Sequence, residues 1–125
     1  MAEREQVEAL VARYVDAVAR QDVEATVACF APDAVQEDPV GSPPNVGEDA
    51  IRAFFEKSFA VPFRVNREGD TRICGDEETW ASFRFTIEVP TGDGAFLVRV
   101  ADLAQLDAEC RIKRLWAVQD VHQTV

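Results

Sequence analysis

The sequence has a single histidine, His122, close to its last residues. A Ser-His-Asp apparatus would have to use that one side chain, and a zinc site built on several histidines is excluded. A solvated tail residue is the plainer reading of His122. Cysteine is also scarce: Cys29, Cys74 and Cys110 are odd in number and far apart, with no CxxC pair. They read as free thiols, neither a disulfide framework nor a zinc ligand set. No GxGxxG or GxxxxGK[ST] occurs, so dinucleotide and phosphate-loop functions have no support. No run of about 18 apolar residues is present, so no membrane span is expected. Basic residues are outnumbered, 13 against 23 acidic ones, for a formal charge of −10. A nucleic-acid or anionic-membrane partner needs a basic surface and is not expected. The opening MAEREQVEAL carries acids among its first residues and reads as helix, not as a signal peptide; a cytoplasmic protein is the expectation. What remains for chemistry is carboxylates, one tyrosine and arginine.

The 125 residues are 47% hydrophobic, which suits one compact domain over residues 1–125. A domain of this size buries roughly two-thirds of its unfolded surface. The first half has helical spacing. Val7, Leu10, Val11, Tyr14, Ala17 and Val18 form one apolar stripe over about residues 3–20. Asp22 is a good N-cap for a second helix carrying Val23, Val27 and Phe30, ending near Ala31-Pro32-Asp33. A third helix begins near Gly47 to Asp49 and carries Ile51, Phe54, Phe55 and Phe59; Glu48 and Asp49 suit its positive end. Between the second and third helices, Ala34 to Asp38 reads as a short strand. Pro39, Gly41, Pro43 and Pro44 then force a loop, and Pro39 keeps Asp38 extended.

From about residue 61 the period becomes two. Ala81, Phe83, Phe85, Ile87 and Val89 share one face of a strand over 79–89. A Gly/Asp turn at 90–94 leads into a strand over 95–106, and another strand spans 111–121. Consecutive strands with short turns imply an antiparallel sheet, with the helices on one face in an α+β arrangement.

Three residues stand out from their surroundings. On the 95–106 strand one face reads Phe96, Val98, Val100, Asp102, Ala104, Leu106, so Asp102 is its one charged side chain. Burial there would raise its pKa and make it a neutral hydrogen-bond donor. A salt bridge to an arginine, or a strand end open to water, accounts for the same pattern. Tyr14 lies on the apolar stripe, so its hydroxyl needs a partner; it reads as a donor or as an ordinary core tyrosine. Asp38 sits where a strand meets a rigid loop, a favoured place for functional residues and also for a turn-capping Asp. Together a base and two donors around an apolar cavity would suit proton abstraction next to a carbonyl.

The runs Arg13-Tyr14-Val15, Val35-Gln36-Glu37-Asp38-Pro39-Val40-Gly41-Ser42 and Ala101-Asp102 resemble the bacterial Δ5-3-ketosteroid isomerases, over nearly the whole chain. The resemblance implies a cone-shaped, nuclear transport factor 2-like fold: three N-terminal helices on a curved, mainly antiparallel sheet. It also implies a homodimer formed through the outer sheet surface. Asp38 would be the general base, and Tyr14 and a protonated Asp102 the oxyanion donors. No metal or cofactor is implied. The expected steroid-contacting residues are Val18, Phe55, Phe83, Phe85, Val100 and Gln119, the aromatic and aliphatic ones reading equally as core packing. Three departures stand out. Phe55 and Phe30 occupy places where members carry tyrosines, and Gln119 occupies the place of a pocket aromatic.

The implied reaction moves the double bond of a 3-oxo-Δ5-steroid into conjugation through a dienolate. Two rivals remain at this level. One is another enzyme of the same fold, an epoxide hydrolase or polyketide cyclase; the first of these would need an Asp-Arg-Asp set, and Arg99 has the wrong strand parity to join Asp102. The other is a non-catalytic steroid- or lipid-binding dimer.

Overall fold

The computed structural model describes residues 2–124. The first helix, α1 (Arg4–Ala19), buries Val7, Leu10, Val11, Tyr14, Val15, Ala17 and Val18, the face that its apolar spacing predicts. The second, α2 (Val23–Val27), is a little over one turn long. Its N-cap is Asp22, whose side chain accepts from the Ala25 N–H. Six strands and a helix follow in the order β1 (Phe30–Glu37), β2 (Asn45–Val46), α3 (Glu48–Ser58), β3 (Arg64–Cys74), β4 (Thr79–Thr91), β5 (Gly94–Leu106) and β6 (Ile112–Thr124). The three helices and this sheet are the expected α+β arrangement. No helix among the described residues is long and apolar enough to cross a membrane.

The end of α2 differs from the sequence expectation. The helix stops at Val27, and Phe30 already belongs to β1. Phe30 pairs with Ile112, and the Ile112 N–H donates to the Cys29 carbonyl at 2.9 Å. Pro32 disfavours helix at residue 31 and cannot donate to a ladder. It falls where the β1–β6 register shifts, between Phe30 and Val35, a place where a missing N–H costs little.

The six strands form one sheet in the order β2-β1-β6-β5-β4-β3. Strands β3 to β6 pair antiparallel in sequence order, and β1 joins the free side of β6 in parallel. Strand β3 is the element that the sequence pattern concealed. As an edge strand it buries one residue, Thr71, and its polar run RVNREGDTRIC shows little apolar alternation. Breaks in register in β3–β4, β5–β6 and β1–β6 bend the sheet around α1 and α3.

The strand faces follow the predicted parity. Ala81, Phe83, Phe85, Val100, Ala104 and Leu106 are buried with the helices' apolar stripes. Phe96, at the open end of β5, is 41% exposed although it shares that face. On the outer face Trp80 and Trp116 stack with centroids 6.0 Å apart. The three cysteines are free. His122 lies exposed on β6 with its Nε2 2.9 Å from Asp120.

Candidate active site

Helix α1 directs Tyr14 inward, where Phe30, Phe55 and Phe83 meet its ring edge-on at centroid distances of 5.8, 6.5 and 5.8 Å. Each such aromatic contact contributes about 0.5–1.5 kcal/mol beyond area burial, so the ring is firmly held. Tyr14 is the chain's one tyrosine, and phenylalanines flank it. No second phenol therefore backs its hydroxyl. Burial, then the Asp102 and Asp38 carboxyls, push its pKa well above the usual tyrosine value.

Strand β5 directs Asp102 to the same interior, with Phe83 opposite it on β4 and Ala117 opposite it on β6. The side chain is 2% exposed, and its Oδ1 has no hydrogen-bond partner. No arginine pairs with it: Arg99 lies exposed on the outer face, in register with Thr86 and Asp120. An unpaired buried carboxylate is costly, and the group resolves the cost by holding its proton. Burial first, and the nearby Asp38 second, raise its pKa well above the carboxylate range.

Asp38 follows the last residue of β1, at the cavity mouth. The loop after it is fixed at several points. The Ser42 N–H donates to the Pro39 carbonyl at 3.0 Å, closing a turn with Gly41 third, at φ +99°, where a side chain would be strained. The Val40 N–H donates to the Ala117 carbonyl at 2.8 Å, and Asn45 Nδ2 to Gln36 Oε1 at 3.0 Å. Gln119 Nε2 donates to Asp38 Oδ1. Burial raises the Asp38 pKa to about 6, against the lowering effect of the Gln119 bond.

Tyr14, Asp38 and Asp102 thus line one cavity of about 250 Å³. Val18, Phe55, Phe85, Val100 and Gln119 line it too. Phe83 does not; it is 2% exposed and packs against Tyr14 and Phe85 behind the wall. Strand parity puts Phe83 and Phe85 on one face, but Phe83 sits deeper, opposite Asp102, where Tyr14 covers it.

Sequence reasoning missed the outer wall: Phe54, Ser58, Phe59, Val61, Phe63, Ile87, Val89 and Val98. The signal for Ile87, Val89 and Val98 was their shared face with Phe85 and Val100. Phe54 and Phe59 belong to the apolar spacing of the third helix, whereas the segment at 60–63 gave no periodic signal and is tied down by a distant side chain. Gln21 Nε2 donates to the carbonyls of Phe59 and Val61 at 3.0 and 2.7 Å. A wider groove of about 820 Å³, lined by Arg4, Glu8, Arg67, Asp70, Thr71 and Arg72, lies elsewhere; it mixes charges of both signs and gathers none of these groups.

The raised carboxyl values have a stability consequence. A carboxyl whose folded pKa is raised binds its proton more tightly in the folded state, so its contribution is complete below the unfolded pKa and is lost as pH rises through the folded one. For Asp38 that window runs from 3.8 to about 6. Because the side chain is half-buried, the loss should be about 1–2 kcal/mol, less than the full shift implies. Urea unfolding from pH 4 to 7 should show wild type losing that much more stability than Asp38→Asn. Parallel pH dependence in the two proteins would contradict the raised value.

Residues 11–115 match the SnoaL-like domain family. A steroid Delta-isomerase of Nocardioides simplex is 33% identical over 119 residues, which cover 93% of this chain and 94% of that protein. A solved structure described as the epoxide hydrolase/cyclase-like enzyme SalBIII, in pyran ring formation in polyether salinomycin, has a TM-score of 0.87. The match covers 99% of this chain and 100% of that one at 21% identity.

Proposed function

The chain belongs to the SnoaL-like domain family and has a nuclear transport factor 2-like fold, and on that premise we propose that it is a steroid Δ-isomerase acting on 3-oxo-Δ5-steroids. The observation that carries the reading is a pair of carboxyl groups on one apolar cavity with their acidities pushed apart. Asp38, at about 6, is mostly ionised at neutral pH, while Asp102 keeps its proton. One can take a proton and the other can donate a hydrogen bond.

In this reading the steroid's A ring reaches the inner end of the cavity, and its 3-oxygen meets the Tyr14 hydroxyl and the Asp102 carboxyl. Asp38 removes a proton from carbon 4: the C–H bond breaks, an O–H bond forms, and the electron pair moves to the 3-oxygen as a dienolate. Tyr14 and Asp102 donate to that developing charge without releasing their protons. The protonated Asp38 then returns the proton to carbon 6, and the conjugated 3-oxo-Δ4 product forms. A positioned base contributes about 10²–10⁴-fold, and each oxyanion donor about 3 kcal/mol. Phe54, Phe55, Phe59 and Phe85 offer apolar surface to the ring system.

The test is the ultraviolet absorbance of a conjugated enone formed from 5-androstene-3,17-dione. With Asp38 as base, kcat/KM should rise with pH, level off above about 6, and fall tenfold per unit below it. No enone formation by the folded protein would sink the reading. The fold neighbour keeps an epoxide-opening cyclase in view, since an acid and a base flanking a cavity could serve that chemistry too. The exposed, outward Arg99 leaves an epoxide hydrolase reading without its Asp-Arg-Asp water-activating set.

A further inference from the structure

The inner face of β6 reads Leu115, Ala117, Gln119, the residues in register with Ala104, Asp102 and Val100 of β5. Leu115 and Ala117 are buried, so Gln119 is the first of the three to carry a polar end to the cavity mouth. The Val40–Ala117 backbone bond draws the loop after Asp38 onto this part of β6. Gln119 and Asp38, 81 residues apart, meet there through the Nε2–Oδ1 hydrogen bond. Among the described residues this is the one side-chain hydrogen bond to the Asp38 carboxyl.

We propose that Gln119 is the positioning residue for Asp38, its amide N–H fixing Oδ1 so that Oδ2 faces the substrate carbon. This deepens the isomerase reading and rests on it. The amide N–H suits the task for two reasons. It is uncharged, so it steadies a carboxylate without the strong acidifying effect of a lysine or arginine, which would make Asp38 a poor base. It is also a donor, and a donor binds an ionised carboxylate about twice as strongly as a neutral acid. When Oδ2 takes the proton from carbon 4, the Gln119 bond weakens. The protonated carboxyl is then held less firmly and is favoured to give the proton back at carbon 6. Gln119 keeps its own protons throughout. The titratable groups facing Asp38 are Tyr14 from α1 and Asp102 from β5. Helix α3 contributes none to the cavity, and Asp120 and His122 of β6 pair on the outer face.

The test uses Gln119→Leu, which removes the donor, and Gln119→Glu, which keeps the shape and adds a like charge. Asp38 is followed by carbon-13 NMR titration of the substrate-free protein, its carboxyl resonance assigned with Asp38→Asn. In Gln119→Leu the Asp38 pKa should rise by about one unit, and in Gln119→Glu by more. The acid limb of kcat/KM should move by the same amount, and kcat at pH 9 should fall about three- to tenfold in Gln119→Leu from lost orientation. An unmoved Asp38 titration in either folded variant would overturn the proposal. A merely structural residue would lower the melting temperature without moving the titration. Should Gln119→Leu fail to fold, Gln119→Glu decides alone. The NMR titration needs no turnover, so an inactive wild type would remove the isomerase reading while leaving the Gln119–Asp38 result to stand or fall separately.

Discussion

Asp38→Asn should lower turnover of 5-androstene-3,17-dione at least about 10²-fold, the low end of what a positioned base contributes. The change keeps the side chain's size and planar shape but removes the one cavity carboxylate that is mostly ionised at neutral pH. An amide nitrogen or oxygen has no useful basicity toward a carbon acid. Neither neighbour is suited to take over: burial and the nearby Asp38 push the Asp102 carboxyl well above the carboxylate range, which favours its protonated form, and burial makes the Tyr14 hydroxyl a weaker acid still. The loss should appear in kcat with little change in KM, because the apolar walls of the cavity are untouched. Steady-state kinetics at pH 7 and 9, with circular dichroism to confirm folding, would measure it. Near-normal kcat in a folded Asp38→Asn protein would remove Asp38 from the role of base. The same variant should be the more stable protein at neutral pH, since it no longer ionises a carboxyl in an apolar cavity.

Asp102→Leu should cost about 2.7–4 kcal/mol of transition-state stabilisation, which is about 10²–10³ in kcat, the range for one lost oxyanion donor. Asp102→Asn should cost clearly less, because its amide still offers N–H donors. The ordering carries the meaning. Leucine matches the apolar neighbours Phe83, Val100 and Ala117 better than a carboxyl does, so Asp102→Leu should fold at least as well as wild type. A drop in rate without a drop in stability separates a donor from a packing residue. The unpartnered Oδ1 sharpens this expectation, since no described residue loses a hydrogen bond to that atom when Asp102 is removed. Infrared spectroscopy of the wild type should show a protonated carboxyl at neutral pH that Asp102→Leu lacks. Equal rates for the two variants, or an ionised Asp102 at pH 7, would refute the donor role. Because phenylalanines surround Tyr14, its hydroxyl has no second phenol to strengthen it, and the reaction should lean on Asp102 the more heavily.

Some of this site was legible in the sequence because each element fixes the direction of its own side chains. Tyr14 falls in the helical phase of Leu10, Val11 and Val18, and all four are buried. Asp102 falls in the strand parity of Val100 and Ala104, and all three are buried as well. Arg99, of opposite parity, points out. Asp22 caps a helix because its side chain can reach an N–H three residues on, a purely local matter. Strand β3 was hidden for a related reason: an edge strand with one buried residue needs little apolar alternation, so its pairing leaves little trace in its own composition.

Period and parity say which way a side chain leaves its own element; they do not say what stands opposite. Only the tertiary structure decided that β1 pairs in parallel with β6, with most of the chain intervening, and so brings Asp38 to the rim of the cavity that Tyr14 and Asp102 close from within. It also decided that α2 ends at Val27, because the Cys29 carbonyl and Phe30 are claimed by β6. It hid Phe83 behind Tyr14 while leaving Phe85, two residues along the same face, on the wall. It set Gln119 against Asp38 and Gln21 against the segment at 59–63, contacts made across 81 and about 40 residues of chain. Local sequence sets orientation through backbone stereochemistry, which acts over a few residues. Proximity between distant elements is set by how the bent sheet and its helices pack into one core, and that depends on every element at once.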